Sequence, residues 1–188
     1  MCMRCSRRQF LETSGVGGMA AAARVAGGNA APSPPPPATA KVRLCAVIAG
    51  KGGDRSWSLS EAEIAAVKGR LAQAEASLGD VEFVVGQAST AEETAQLLHH
   101  AGPDAPVLAV SADIFGLSRG VMPAIFQDGR PVAVFHFPVV GGHDWCLVKP
   151  WREEGHRITL FNSSDLDELE RAAALLRVIP LLRRSRVL

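Results

Sequence analysis

From Lys41 onward, short runs of β-branched residues alternate with stretches whose apolar positions recur at three- and four-residue spacing. Val42–Ala49 is apolar throughout, the pattern of a central parallel strand covered by helices on both faces. Ser60-Glu61-Ala62-Glu63 has the form of a capping box, and Ile64, Val67, Leu71, Ala74 and Leu78 then mark one helical face up to Gly79. Val81–Val85 reads as the second strand. Thr90 to Glu93 forms a second capping box, and its helix closes at Gly102-Pro103. Val107–Val110 is strand three. A less regular helix is expected from Leu117 to Gln127, kinked near Pro123.

The same alternation continues to the end. Asp128-Gly129 turns the chain into strand four, Val132–Phe137. A helical segment over Asp144–Glu154 carries Pro150, which must bend or divide it, and Gly155 ends it. Arg157–Phe161 is strand five. Ser164 is expected to cap a last helix, with Leu166, Leu169, Ala173 and Leu176 inward and a stop before Pro180. Arg186-Val187-Leu188 reads as the opening of a sixth strand, and hence as a fragment whose parent continues. The alternation predicts an open, mainly parallel, five- to six-stranded doubly wound sheet of Rossmann or flavodoxin-like type, with helices on both faces.

The first forty residues follow none of these periods. Ser6-Arg7-Arg8-Gln9-Phe10-Leu11 has the form of a bacterial twin-arginine export signal, departing from it at Glu12 and Arg24. Residues 13–31 hold seven alanines and five glycines, too interrupted for a stable membrane span. Pro32-Ser33-Pro34-Pro35-Pro36-Pro37 is a stiff spacer. Ala38-Thr39-Ala40 is a small-x-small triplet suited to signal peptidase, so cleavage after Ala40 and a periplasmic or otherwise exported product are expected. The expected organisation is a signal and linker over 1–40 and one α/β domain over 41–188, with the Tat translocase as the partner during export.

Removing the leader leaves 148 residues, enough for one packed domain, with 16 basic and 18 acidic side chains. No basic field for nucleic acid remains. Of four cysteines, Cys2 and Cys5 fall in the leader. Cys45 reads as a core residue, and a disulfide between it and Cys146 is an open but less simple alternative.

Ligands of such sheets collect beyond the carboxyl ends of the strands. After strand one, Gly50-Lys51-Gly52-Gly53-Asp54-Arg55-Ser56-Trp57 matches neither a Walker loop nor a Gly-x-Gly-x-x-Gly fingerprint. Arg55 and Trp57 are suited to clamp a polyol, with a packed flexible loop the competing reading. Gln87, Ser89 and Ser111-Ala112-Asp113 read chiefly as groups that satisfy loop backbone or cap helices. Strand four yields His136 and then Gly141-Gly142-His143-Asp144-Trp145. Metal ligation by His136, His143 and Asp144 is chemically open, yet the spacing matches no strong metal motif. Hydrogen bonding to substrate by His143 or Asp144 fits better, and Asp144 is also placed to cap a helix. Neither a Gly-x-Ser-x-Gly elbow nor a Ser-His-Asp or Cys-His pair can be argued.

The twin-arginine leader, the glycine-rich turn after strand one, Asp128-Gly129-Arg130-Pro131-Val132, Gly142-His143-Asp144-Trp145, and Ser164-Asp165 with a helix through Leu176-Arg177-Val178 together resemble a bacterial family. The chain is similar to the N-terminal α/β domain of exported sugar isomerase-like proteins related to L-fucose and L-arabinose isomerases. The resemblance is loose over the mature chain and best over its last sixty residues. It implies a multidomain ketol isomerase using a divalent metal, commonly manganese, held by later domains, so that this chain itself carries no cofactor or metal. Its domain would complete the sugar pocket and pack against neighbouring subunits of a homo-oligomer. Arg55, Trp57, His143, Asp144 and Trp145 are then the candidate sugar contacts, no catalytic residue carries over, and the chain alone is expected to be inactive. A self-contained periplasmic module binding a sugar or anion is the alternative. A flavodoxin-like redox protein ranks last, since the glycine loop lacks a Ser/Thr-rich phosphate cradle and the chain has no Tyr.

Overall fold

Five parallel strands form one sheet in the order β2-β1-β3-β4-β5 in a computed structural model that describes residues 41–53, 57–113, 115–138 and 144–185. The strands are β1 (Val42–Ala49), β2 (Val81–Ala88), β3 (Val107–Ser111), β4 (Val132–His136) and β5 (Ile158–Asn162). The helices are α1 (Glu61–Leu78), α2 (Ala91–Ala101), a π-helical turn (Leu117–Val121) running into α3 (Met122–Gln127), α4 (Asp144–Glu153) and α5 (Asp167–Arg184). No helix among the described residues is long and apolar enough to cross a membrane. The leader and the terminal 186–188 lie outside the described residues.

Strand order explains which face each helix takes. The chain leaves β1 for β2 on one side, then crosses back over β1 to β3 and steps outward to β4 and β5. Right-handed crossovers in opposite directions put their helices on opposite faces. One face accordingly packs β1 residues Leu44, Ala46 and Ile48 and β4 residue Phe135 against Ile64, Val67 and Leu71 of α1 and Leu169, Ala173 and Leu176 of α5. The other packs Val47, Ala109 and Val134 against Leu98 of α2, Leu117, Val121, Ile125 and Val148. β1 and β3 are apolar on both faces because both faces are covered. Each large aliphatic side chain so buried contributes roughly 1.5–3 kcal/mol of transfer free energy.

Both expected capping boxes are present. The hydroxyls of Ser60 and Thr90 accept from the amides of Glu63 and Glu93, whose carboxylates reach back to the cap amides at 2.7 and 3.2 Å. Bonding to the Ser60 amide, and secondarily to its hydroxyl, holds the Glu63 carboxyl below its ordinary range. A lowered folded-state pKa means that this contribution is present above the usual carboxylate range and is lost as pH falls through the folded value. Glu63→Gln is therefore expected to weaken the protein by under about 1 kcal/mol at neutral pH. The gap from wild type should close on acidification, as read by urea unfolding at the two pH values.

Three expectations change. The break before α3 falls at Gly120 (φ 165°, ψ −29°), not at Pro123. Pro123 instead sits in the first turn of α3, where a missing N–H leaves no bond unmade. Ser164 does not cap α5. Its start is built by Ser163 Oγ accepting from the Asp165 amide and Asp165 Oδ1 accepting from the Asp167 amide. Nor does α5 stop before Pro180. It continues to Arg184 with Pro180 buried, because packing along Leu169, Ala172, Ala173 and Leu176 outweighs one lost backbone bond. Pro150 likewise lies inside α4.

Candidate functional site

The strand order reverses between β1 and β3, and a cleft of about 870 Å³ opens beyond the carboxyl ends of β1, β2 and β3. In open α/β sheets this is the place where the backbone leaves room for a ligand. Its walls include Gly50, Lys51 and Trp57 from the loop after β1, Ser89 and Thr90 after β2, and Asp113, Phe115 and Arg119 after β3.

Asp113 ties the walls together. Its carboxylate accepts from the Lys51 amide at 2.9 Å and from the Phe115 amide at 3.0 Å. Its backbone pairs antiparallel with Ser58, next to Trp57. Its carbonyl accepts from the Ser111 hydroxyl and the Gly116 amide. Gly50 has φ +114°, and a Cβ there would lie 2.5 Å from the Asp113 carboxylate, so the loop turns where only glycine fits. The Gln87 amide donates to the Gly50 carbonyl at 2.9 Å and fixes the same turn from β2. Thus Gln87, near the end of β2, and Asp113, after β3, both satisfy loop backbone.

Exposed groups then face the cleft on a fixed frame. Trp57 is 46% and Phe115 40% accessible. The Arg119 guanidinium stacks 4.3 Å above the Phe115 ring. Two carboxylates also line the cleft, and each is bonded to backbone amides: Asp113 as above, and Glu93 to Ser89 and Thr90 at 2.6 and 3.2 Å.

Of the residues singled out in the sequence, Trp57 lines this cleft. Arg55 and His143 lie outside the described residues. Asp144 is the first residue of α4, and Trp145 follows it, 46% accessible and not among the cleft's lining. His136 is buried at the end of β4 opposite Asn162 of β5, with Nδ1 3.1 Å from Asn162 Oδ1. Its Nε2 has no partner among the described residues. Among the described residues no three His, Cys, Asp or Glu side chains gather to hold a metal. Cys45 and Cys146 are both free thiols, one buried and one exposed. Burial pushes the Cys45 thiol up to about 11, with the Arg130 guanidinium pulling slightly the other way.

Phe115 and Arg119 escape a reading based on strand ends, because they belong to the turn and π-helical segment beyond β3. The available signal is Gly116, which has no room for a side chain against the Ala49 carbonyl and so brings that segment against β1. π-helical turns recur at functional sites. The chain matches no protein-family model, and comparison with curated proteins returns no match.

Proposed function

We propose that this chain is a small-molecule-binding α/β domain that holds a sugar or related polyol in the switch-point cleft. In a longer ketol isomerase it would serve as the sugar-pocket domain. The observation that carries this reading is the position of an open 870 Å³ cleft, edged by two exposed aromatic rings, where the strand order reverses. The C–H face of a sugar packs on an aromatic ring, while hydroxyls find Ser89, Thr90 and the indole N–H. The proposal assigns binding to this chain. Turnover, with manganese, would belong to the later domains of the isomerases that the sequence resembles. Export through the twin-arginine route would place that binding in the periplasm.

Titration calorimetry of the full chain with L-fucose, L-arabinose and D-glucose, with and without manganese, tests the reading. Saturable binding of at least one aldose, weakened tenfold or more by Trp57→Ala, is expected. Binding of none, or equal binding by the variant, overturns it.

A second reading, a domain that also joins subunits, is favoured by α5. Leu175, Val178 and Leu182 form a stripe on that helix and are 56%, 42% and 67% accessible, a surface suited to cover by further protein.

A further inference from the structure

The cleft carries cationic as well as hydroxyl donors. Lys51 and Arg119 stand on two of its walls, and among the described residues neither is ion-paired with a carboxylate. Five arginines of the domain are paired instead. Arg43, Arg70, Arg130, Arg171 and Arg177 each have a carboxylate within 3.2 Å. The two carboxylates in the cleft, Asp113 and Glu93, are bonded to backbone amides, and among the described residues neither lies within ion-pair distance of Lys51 or Arg119.

Arg119 is also oriented. The guanidinium carbon lies 4.3 Å over the Phe115 ring, and a guanidinium held there can present its N–H groups to a planar or tetrahedral oxyanion. Lys51 is anchored through its own amide to Asp113, the residue whose carboxylate also fixes the start of the Phe115 turn. Two cations and two aromatic faces therefore share one rigid support.

We infer that the cleft selects an anionic sugar, one bearing a phosphate or carboxylate, with its ring against Trp57 or Phe115 and its charged group held by Lys51 and Arg119. This inference rests on the cleft being the binding site. A phosphate and a carboxylate supply the same chemistry here, acceptor oxygens with delocalised negative charge, and the probes separate them.

The test compares D-glucose, glucose 6-phosphate and glucuronate by calorimetry on the full chain, with hydrogen exchange locating whatever binds. Glucose 6-phosphate or glucuronate should bind at least tenfold tighter than glucose, and the preference should shrink as salt rises. Lys51→Gln with Arg119→Gln, both exposed and not expected to alter folding, should remove the preference, so that glucose 6-phosphate and glucuronate bind no tighter than glucose. Circular dichroism checks that the variant folds. Protection confined to residues 50–53, 87–93, 113 and 115–119 supports the site. Glucose binding there as tightly as its charged analogues overturns the anion assignment while leaving the site intact. Protection elsewhere, or binding of none of the three, overturns the site and the inference together.

Discussion

Alanine in place of Gly116 is expected to cost about 3 kcal/mol in urea unfolding and to weaken binding in the switch-point cleft. The added methyl group would run into the Ala49 carbonyl and sit 3.0 Å from the Gly50 Cα. Both neighbours are backbone, and neither can rotate away as the end of a side chain would. Relief requires the turn after β3 to move off β1, which carries Phe115 and Arg119 out of place. Gly53→Ala is the matched control: it lies in the facing loop, and a methyl group there meets nothing within 4 Å. It should change stability by less than about 0.5 kcal/mol. Equal effects at the two positions would show that the close approach of these loops is not what holds the cleft.

Arg130→Ala is expected to destabilise by a similar amount, about 3 kcal/mol, from the opposite end of the sheet. Arg130 is 8% accessible. It donates to the Gly102 carbonyl at 2.6 Å and the Ala105 carbonyl at 3.3 Å, and its Nε bonds Asp128. It thereby joins the end of α2 to the entry of β4. Truncation takes this donor from the Ala105 carbonyl and the Asp128 carboxylate, and leaves the Gly102 carbonyl with only the Ala105 amide at 3.4 Å. Lysine keeps the charge but lacks a planar fork able to reach all three, so Arg130→Lys should recover less than half of the loss. Because these contacts lie at the amino ends of the strands, ligand affinity in the cleft should be unchanged below the melting transition. A variant that loses affinity while folded would contradict that separation.

The two capping boxes and the doubly apolar β1 were legible in the sequence for a shared reason. Each is a pattern confined to eight residues or fewer: the boxes are made by the residues that spell them, and a strand covered on both faces must read as a near-continuous apolar run, so the run itself reports the cover. The start of α5 was not legible, because Ser163, Ser164, Asp165 and Asp167 all have side chains able to bond nearby amides, and only the entry angle from β5 decides among them. Pro180 misleads for a related reason. A proline forfeits one backbone bond whatever surrounds it, while the gain from burying it depends on residues far away in sequence. Asp128-Gly129-Arg130 shows the same limit. It reads as a turn, and the arginine's reach to Gly102 and Ala105 cannot be seen until β3 and β4 are paired. At the candidate site, glycines and small polar residues after the strands mark the end of the sheet at which the cleft opens. Strand order then decided which loops meet: the β1 and β3 loops converge, and Trp145, near the start of α4, is not among the described residues that line that cleft.

The double use of the Asp113 carboxylate has a thermodynamic consequence. Because one side chain holds the loops of both β1 and β3, the walls are fixed before a ligand arrives, and little ordering free energy is spent on binding. Occupancy then adds to the stability of the whole sheet, by about 2.7 kcal/mol at a ligand concentration one hundred times its dissociation constant. Candidate ligands can thus be ranked by melting temperature alone, with no enzymatic readout.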